Sequence, residues 1–466
     1  MLEQLQLKPN VKRWVVAYSG GLDSSVLLHV LHQLIQQGSI PSPVCALHIN
    51  HQLSPHANDW QQHCEQHCRS LGIPFYTELV DVKLAGHGVE AAARQARYRC
   101  FEGFLKEDDC LLLGHHADDQ AETFLFRLMR GAGNLGLSSM VKARPLGVAT
   151  LLRPLLGVLR YQLERYAVAS HLQWIEDESN ASLDFDRNFI RHKMIPVLES
   201  RWQQAKKQLA NTADRLQKSQ GLLNDLAEID LKQLDLRQER CGTSIDWSLL
   251  RTFSQDRINN IIRFWCQCEG HPLPNSQQLM QIQQQFFARN VMLSSAVVRW
   301  GRHGVKEGGV KQGGVKQGGM RQCEVRQFNC RFYLMTRLAD FSPTEYSVEW
   351  DVSQPLHLDE AGQLVLSLQD HVDNDCHQHC LSVAKLNKKK LQVHWRQGGE
   401  RCTPSGRSRS QTVKKLLQEY KLETWLRDRV PLLFMDEKIV AVGDLWVCQG
   451  FCANINEPGY LLEWSL

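Results

Sequence analysis

Arg13-Trp-Val-Val-Ala-Tyr18, followed by Ser19-Gly-Gly-Leu-Asp-Ser-Ser25 and the apolar run Val26 to Leu34, reads as strand, turn and helix in immediate succession. Two consecutive glycines, Gly20 and Gly21, let the backbone come close to a bound anion. The hydroxyls of Ser19, Ser24 and Ser25 add donors, and the helix that opens at Leu22 directs its first N–H groups at the same place. The turn from Ser19 through Gly20, Gly21, Leu22 and Asp23 to Ser24 therefore holds a polyphosphate. An ionised Asp23 is no phosphate donor, so its task is to help hold a Mg²⁺ that contacts the phosphates. The segment has neither the lysine of a P-loop nor the glycine spacing of a dinucleotide fold.

Further strands are predicted at Val44 to Ile49, Phe75 to Val80 and Cys110 to Gly114, with crossover helices at Asp59 to Arg69 and Glu90 to Leu105. Repetition of this unit gives an α/β fold with a parallel sheet flanked by helices, whose functional residues collect beyond the carboxyl ends of the strands. The expected continuation is a helical domain and then a small α+β domain around a helix at Thr412 to Arg427. The corresponding boundaries are 1–215 for the catalytic domain, 216–300 for the helical domain, 301–346 for a linker and 347–466 for the last domain. Within the linker, Val305-Lys-Glu-Gly-Gly309 and its two copies ending at Gly319 carry two glycines per unit, which suits a surface insertion.

Gly114-His-His-Ala-Asp-Asp-Gln-Ala-Glu122 follows the Cys110 strand and opens a helix. Asp118 and Glu122 fall on one helical face, with Asp119 rotated to another. At the sheet edge these carboxylates can coordinate Mg²⁺ or orient an amine, and they can also cap the helix. His115 and His116 lack the cysteines or glutamate spacing of a zinc site and suit phosphate binding, proton transfer or a structural hydrogen bond.

The chain has 466 residues, 43% hydrophobic and 22% charged, which is a soluble composition too long for one core. The first ten residues lack a signal-peptide pattern and no apolar stretch reaches membrane length, pointing to the cytoplasm without a membrane partner. Fifteen cysteines, spread out and odd in number, read as free thiols. Cys376-His-Gln-His-Cys380 has no second ligand pair to complete a zinc cage. The net charge of +4 excludes little, but Leu381 to Arg429 holds 13 Lys or Arg against 4 Asp or Glu, a surface for a phosphate backbone.

The Ser19 to Ser24 turn resembles the pyrophosphate loop of the N-type ATP pyrophosphatases, which implies cleavage of ATP between its α and β phosphates and adenylation of a substrate oxygen. Five further segments, in order over the first 200 residues, resemble the tRNA(Ile)-lysidine synthetase family: His48-Ile-Asn-His51, Glu90 to Arg99, Gly114 to Glu122 with Arg130-Gly-Ala-Gly, Leu152-Arg-Pro154, and Glu176 to Asn180 leading to Arg187-Asn188 and Arg191-His192. The basic segments Gly406 to Ser410, Lys414 to Gln418 and Trp425 to Pro431 extend the likeness. The resemblance implies ATP and Mg²⁺, tRNA(Ile) with a CAU anticodon and free L-lysine. The wobble cytidine would be adenylated and the lysine side-chain amine would then displace AMP. Asp119 and Glu122, with Asp118 behind them, are the candidates for amine orientation or metal binding, Asp23 and Asp119 for the metal itself, and Arg94, Arg97 and Arg191 for phosphate or RNA. A homodimer is left open.

The nearest alternative is ATP-dependent tRNA thiolation, but no Cys-x-x-Cys is present and Cys64 with Cys68 offers a weak route to sulfur transfer. An RNA-binding protein with an inactive nucleotide fold would have no use for Asp23, Asp118, Asp119 and Glu122 together.

Overall fold

The computed structural model describes residues 5, 10–52, 54–80, 89–178, 182–288, 296–301, 322–343, 347–372, 379–386 and 390–466. The glycine repeats and positions 376–378 of the Cys376 cluster lie outside the described residues.

The chain divides into two units, Met1–Leu223 and Asn224–Leu466. The first alternates β1 (Arg13–Ala17), α1 (Leu22–Gln36), β2 (Val44–Asn50), α2 (Ala57–Ser70), β3 (Phe75–Leu79), α3 (Val89–Phe104), β4 (Asp109–Leu112) and α4 (Ala117–Met129). A hairpin of β5 (Ala143–Leu146) and β6 (Ala149–Leu152) and a helix α5 (Arg160–Ala169) follow. The sheet order is β3-β2-β1-β4-β6-β5, parallel throughout except for the hairpin. The central strand shows why its sequence is continuously apolar. Val15 faces Phe101, Leu111 and Leu151 on one side, while Trp14 and Val16 face Leu27, Leu28 and Leu31 on the other. Strand order reverses between β1 and β4, so the turns leaving these two strands flank the crevice where open α/β sheets bind ligands.

From α6 (Ala205–Lys232) the chain passes into the second unit. There β7 (Arg237–Glu239), β8 (Gly242–Asp246), β9 (Val297–Trp300), β10 (Cys323–Phe328) and β11 (Arg331–Thr336) form an antiparallel sheet in the order β7-β8-β11-β10-β9. It packs on α7 (Gln255–Cys268) and α8 (Ser276–Ile282) through Ile258, Ile261, Ile262, Trp265 and Leu279. The predicted helices are present, but residues 216–300 also contribute three strands, and residues 323–336 of the expected linker supply two central ones. Charge disguised them: Glu324 is fully buried, accepting hydrogen bonds from Arg299 Nε at 2.8 Å and Arg326 Nε at 2.9 Å. Arg326 is its i+2 neighbour on one strand face, whereas only the tertiary fold brings Arg299 to it.

The remainder is α+β, as expected. Strands β12 (Val348–Trp350), β13 (Leu356–His357), β14 (Gln363–Gln369), β15 (Cys380–Ser382), β16 (Leu391–His394), β17 (Arg401–Cys402), β18 (Gln411–Thr412), β19 (Leu432–Met435), β20 (Lys438–Val442), β21 (Trp446–Val447) and β22 (Gly459–Ser465) form sheets ordered β12-β16-β19-β20-β21 and β13-β14-β22-β15, with β17 pairing β18. The helix predicted over Thr412 to Arg427 is shorter, α9 (Val413–Glu419). Lys421 turns left-handed (φ 55°), its N–H reaches Gln418 O at 3.1 Å, and Leu422 N–H reaches Leu417 O at 3.0 Å. This Schellman turn stops the helix so that Leu422 joins Leu417 in the core.

Candidate active site

The turn after β1 is built as its residue types require. Gly20 has φ 82°, and a Cβ there would stand 2.7 Å from both Cys64 Sγ and Ile175 Cδ1. The Gly20 carbonyl accepts from Ile175 N–H at 2.9 Å, tying the turn to a distant segment. Ser24 Oγ donates to Gly21 O at 3.0 Å and lies 3.1 Å from Ser19 Oγ, which holds the hydroxyls together at the mouth of α1. A second glycine matters at the end of β4: a Cβ on Gly114 would come within 3.1 Å of the Asp23 carbonyl carbon and 3.2 Å of Ser24 N. Absence of that Cβ lets the two turns touch backbone to backbone.

The contact carries the acidic turn to the phosphate turn. His116 is 1% exposed and stands between the carboxylates, its Nε2 3.5 Å from Asp23 Oδ2 and 3.5 Å from Asp119 Oδ2. It also caps α4: His116 N–H donates to Asp119 Oδ2 at 3.0 Å, and Asp119 N–H approaches His116 Nδ1 at 3.4 Å when the ring is neutral there. Burial opposes charge on His116, but the Asp23 hydrogen bond and the Asp119, Asp23 and Asp118 charges outweigh it and raise its pKa. Burial likewise opposes the Asp119 charge, yet His116, His115, the His116 amide and Arg191 hold its pKa below the ordinary value. Asp23 Oδ1 is buried with no hydrogen-bond partner.

Arg191 forks onto Glu122, Nε to Oε1 at 2.6 Å and Nη2 to Oε2 at 3.0 Å, and reaches Asp119 Oδ1 at 3.5 Å. Glu122 is 2% exposed; burial pushes its pKa up, Arg191 pulls it back, and burial prevails. Asp118 and Glu122 do share a helix face, and both line a cavity of about 270 Å³ with Arg160, Arg191, His192, Ile195 and Lys206. Asp118 accepts from Arg160 N–H at 2.9 Å at the start of α5 and from Lys206 Nζ at 3.0 Å. Arg94 and Arg97 are exposed on α3. Arg94 covers one Tyr98 ring contact at 5.1 Å and Arg144 another at 5.1 Å. Beside them the buried Arg153 donates from Nε to His115 Nδ1 at 3.2 Å, and Arg187 donates to Thr123 Oγ1 at 2.7 Å. The acids at the α4 start thus have Arg191 against them, and Arg153 stands against the neighbouring His115.

Comparison with known proteins decides the family. Residues 1–198 match the PP-loop domain, 246–305 the TilS substrate binding domain and 391–464 the TilS substrate C-terminal domain. The tRNA(Ile)-lysidine synthase of Coxiella burnetii is 37% identical over 454 residues, covering 96% of this chain and 92% of that protein. Those of Pseudomonas fluorescens and Pseudomonas aeruginosa are each 36% identical, covering 98% and 97% of this chain and 95% and 93% of theirs. The chain belongs to the tRNA(Ile)-lysidine synthase family.

For a lysidine synthase, the structure brings Ser19, Gly20, Gly21, Leu22, Asp23, Ser24, Asp119 and Glu122 to one crevice and leaves Arg94 and Arg97 exposed on α3. Periodicity placed Asp118 correctly on its face but could not reveal Lys206, nearly ninety positions away, as its partner. His116 as the hub between Asp23 and Asp119 was legible only as one of several roles for a histidine at a strand end. Cys64 and Cys68 are fully buried, and burial pushes both thiols up to about 12, so neither is a thiolate near neutral pH. Among the described residues no group of three or more His, Cys, Asp or Glu could hold a metal ion, and no helix is long and apolar enough to cross a membrane.

Two measurements probe this construction. Arg191→Met should destabilise the fold by roughly 3 kcal/mol by stranding the buried Glu122 charge, and adding Glu122→Gln should return part of that loss in denaturant melts. A double variant no better than the single one would contradict the pairing. The second concerns acid. Burial first, then Arg97 and His48, lower the His51 pKa from 6.5 to about 4. A histidine held neutral contributes stability above its unfolded pKa and loses it as pH falls from about 6.5 toward 4. The thermal midpoint of His51→Asn should therefore fall less steeply across that window than that of the parent; parallel slopes would reject the assignment.

Proposed function

We propose that this chain forms lysidine at the wobble cytidine of tRNA(Ile) with a CAU anticodon, using ATP and free L-lysine, and that the crevice between the β1 and β4 turns performs both steps. The observation that carries the reading is the backbone contact at Gly114, which joins a phosphate-binding turn to an acidic helix start.

In the first step the O2 oxygen of cytidine attacks the α-phosphorus of ATP and pyrophosphate leaves. Ser19, Ser24 and the N–H groups at the α1 start receive phosphate oxygens, with preorganised donors aimed at developing charge. The unpartnered Asp23 Oδ1, close to the ionised Asp119, fits Mg²⁺, a cation that keeps most of its waters and needs few protein oxygens. When bound there it would neutralise phosphate charge. Asp23 and Asp119 would hold it.

In the second step the lysine amine attacks C2 of the base and AMP departs with the former O2, so the nucleoside gains lysine minus water. An ammonium cannot attack until it loses a proton. Asp119, held ionised, suits attraction and orientation of the amine, whereas Glu122, with a raised pKa, suits proton acceptance. Arg191 positions both carboxylates, and Asp118 fixes the helix through Arg160 and Lys206. Arg94 and Arg97, exposed on α3, suit contacts to RNA phosphates. Cys45, Cys64, Cys68 and Cys266 are buried free thiols, which fits a reducing cytoplasm.

The test is mass measurement of the wobble nucleoside after incubation with ATP, lysine and the matching tRNA. A gain of lysine minus water, with lysine-dependent AMP release, supports the reading. An unmodified nucleoside or a sulfur-for-oxygen exchange would reject it.

A further inference from the structure

Lys206 stands in the first turn of α6, and its side chain reaches the start of α4. Its Nζ lies 3.0 Å from Asp118 Oδ2 and 3.3 Å from Glu199 Oε2. Burial opposes the charge on Lys206, but Asp118 and Glu199 outweigh it and raise the pKa, so the group is an ammonium throughout the neutral range. Lys206, Asp118 and Glu122 wall the same cavity of about 270 Å³. An amine delivered to Glu122 therefore shares its space with a second acid on the same helix face.

The acids of this space are closed in different ways. Arg191 is divided between Glu122 and Asp119, one guanidinium for two carboxylates, so that pair keeps negative charge for an incoming cation. Asp118 is closed on both oxygens, Oδ1 by Arg160 N–H at 2.9 Å and Oδ2 by Lys206. The Arg160 guanidinium itself turns to Glu164, at 3.1 Å, and His116 Nδ1 stands 3.9 Å from Asp118. Lys206 is thus the cation in direct contact with Asp118.

We infer that Lys206 is a positioning residue for lysine transfer: as a resident ammonium it keeps the substrate's amine off Asp118 and leaves Asp119 and Glu122 as its anchors. The inference rests on the lysidine-forming reading. Lys206 and the substrate present the same chemical group, so what Asp118 offers one it would offer the other. An amine held on Asp118 would be bound out of line. Asp118 is rotated about 100° around the helix from Asp119, and its partners lie on α5 and α6, whereas Asp119 meets His116 and, beyond it, Asp23. Unproductive binding lowers kcat and KM by one factor and leaves kcat/KM unchanged, because free enzyme and transition state are untouched.

Steady-state kinetics in lysine, with the full chain, ATP and the matching tRNA, test this. Lys206→Met should lower kcat for lysidine formation and KM for lysine together, each about tenfold, the worth of one charge-assisted hydrogen bond. Pyrophosphate release without lysine should hold. Lys206→Arg should keep both parental constants, and Asp118→Asn added to Lys206→Met should return them by removing the unproductive anchor while keeping an oxygen for the Arg160 N–H. A role in packing alone would lower kcat/KM and gain nothing from the second substitution. If Lys206→Met does not fold, Lys206→Gln, which keeps a donor without the charge, is read in the same way. A raised KM for lysine, a fall in kcat/KM, or a double variant no better than the single one would overturn the proposal. If the parent forms lysidine and Lys206→Met keeps parental constants, only this inference fails. If the parent forms none, the reading of the reaction fails and takes the inference with it.

Discussion

Asp119→Asn is expected to lower lysidine formation by about 10³-fold, the range for loss of a positioned ionised group at a reacting centre. The substitution keeps the shape and the oxygen that accepts the His116 N–H at 3.0 Å, so the α4 cap should survive. What it removes is the charge shared among His116 Nε2 and Arg191 Nη2, each 3.5 Å away, and the Asp23 site beyond. Both half-reactions should suffer: pyrophosphate release because a metal oxygen is lost, lysine transfer because the amine loses its anchor. Rates of pyrophosphate release without lysine, and of transfer to preformed adenylated tRNA, separate the two. A variant within tenfold of the parent and unchanged in melting would remove Asp119 from the chemistry.

Gly20→Val should be nearly as damaging for a different reason. A β-branched residue at φ 82° is strained by about 1–2 kcal/mol, and the new Cβ meets Cys64 Sγ and Ile175 Cδ1 at 2.7 Å, inside the distance that real Cβ atoms tolerate. The turn has to move. Displacement of phosphate-binding groups by about 1 Å costs roughly 10²-fold in rate, so a loss of that size with a raised KM for ATP is expected, while the affinity for tRNA should hold. Steady-state kinetics in ATP and a direct tRNA titration check both arms. A variant with parental KM for ATP would show that the turn does not cradle the nucleotide.

These two substitutions probe one electrostatic arrangement. Two acids one helical turn apart, Asp119 and Glu122, have pKa values displaced in opposite directions, the first held down by imidazole and guanidinium charge, the second lifted by burial. Arg191 touches both and keeps them from repelling each other. A site that must attract an ammonium and then take its proton requires that division, because an acid that binds the cation most strongly is a poor acceptor for its proton.

Local chemistry made much of this readable in the chain itself. A continuous apolar strand, two glycines and serines about the mouth of a helix read as a phosphate turn after a buried strand, and i,i+4 geometry alone placed Asp118 with Glu122. That the strands run parallel followed from crossover helices of sufficient length, but their order, β3-β2-β1-β4-β6-β5, did not. Side-chain partnership did not follow. Asp118 is tied by Lys206, Glu122 by Arg191 and Glu324 by Arg299, and each pairing depends on which elements pack together rather than on spacing. The same holds for β10 and β11, whose charged residues conceal a central strand until their partners arrive, and for the helix after Thr412, which stops where burying Leu422 is worth more than another helical turn. Backbone preference and hydrophobic period act over a few residues and are written in the sequence; the neutralisation of a buried charge is a long-range event, settled only when the chain has folded.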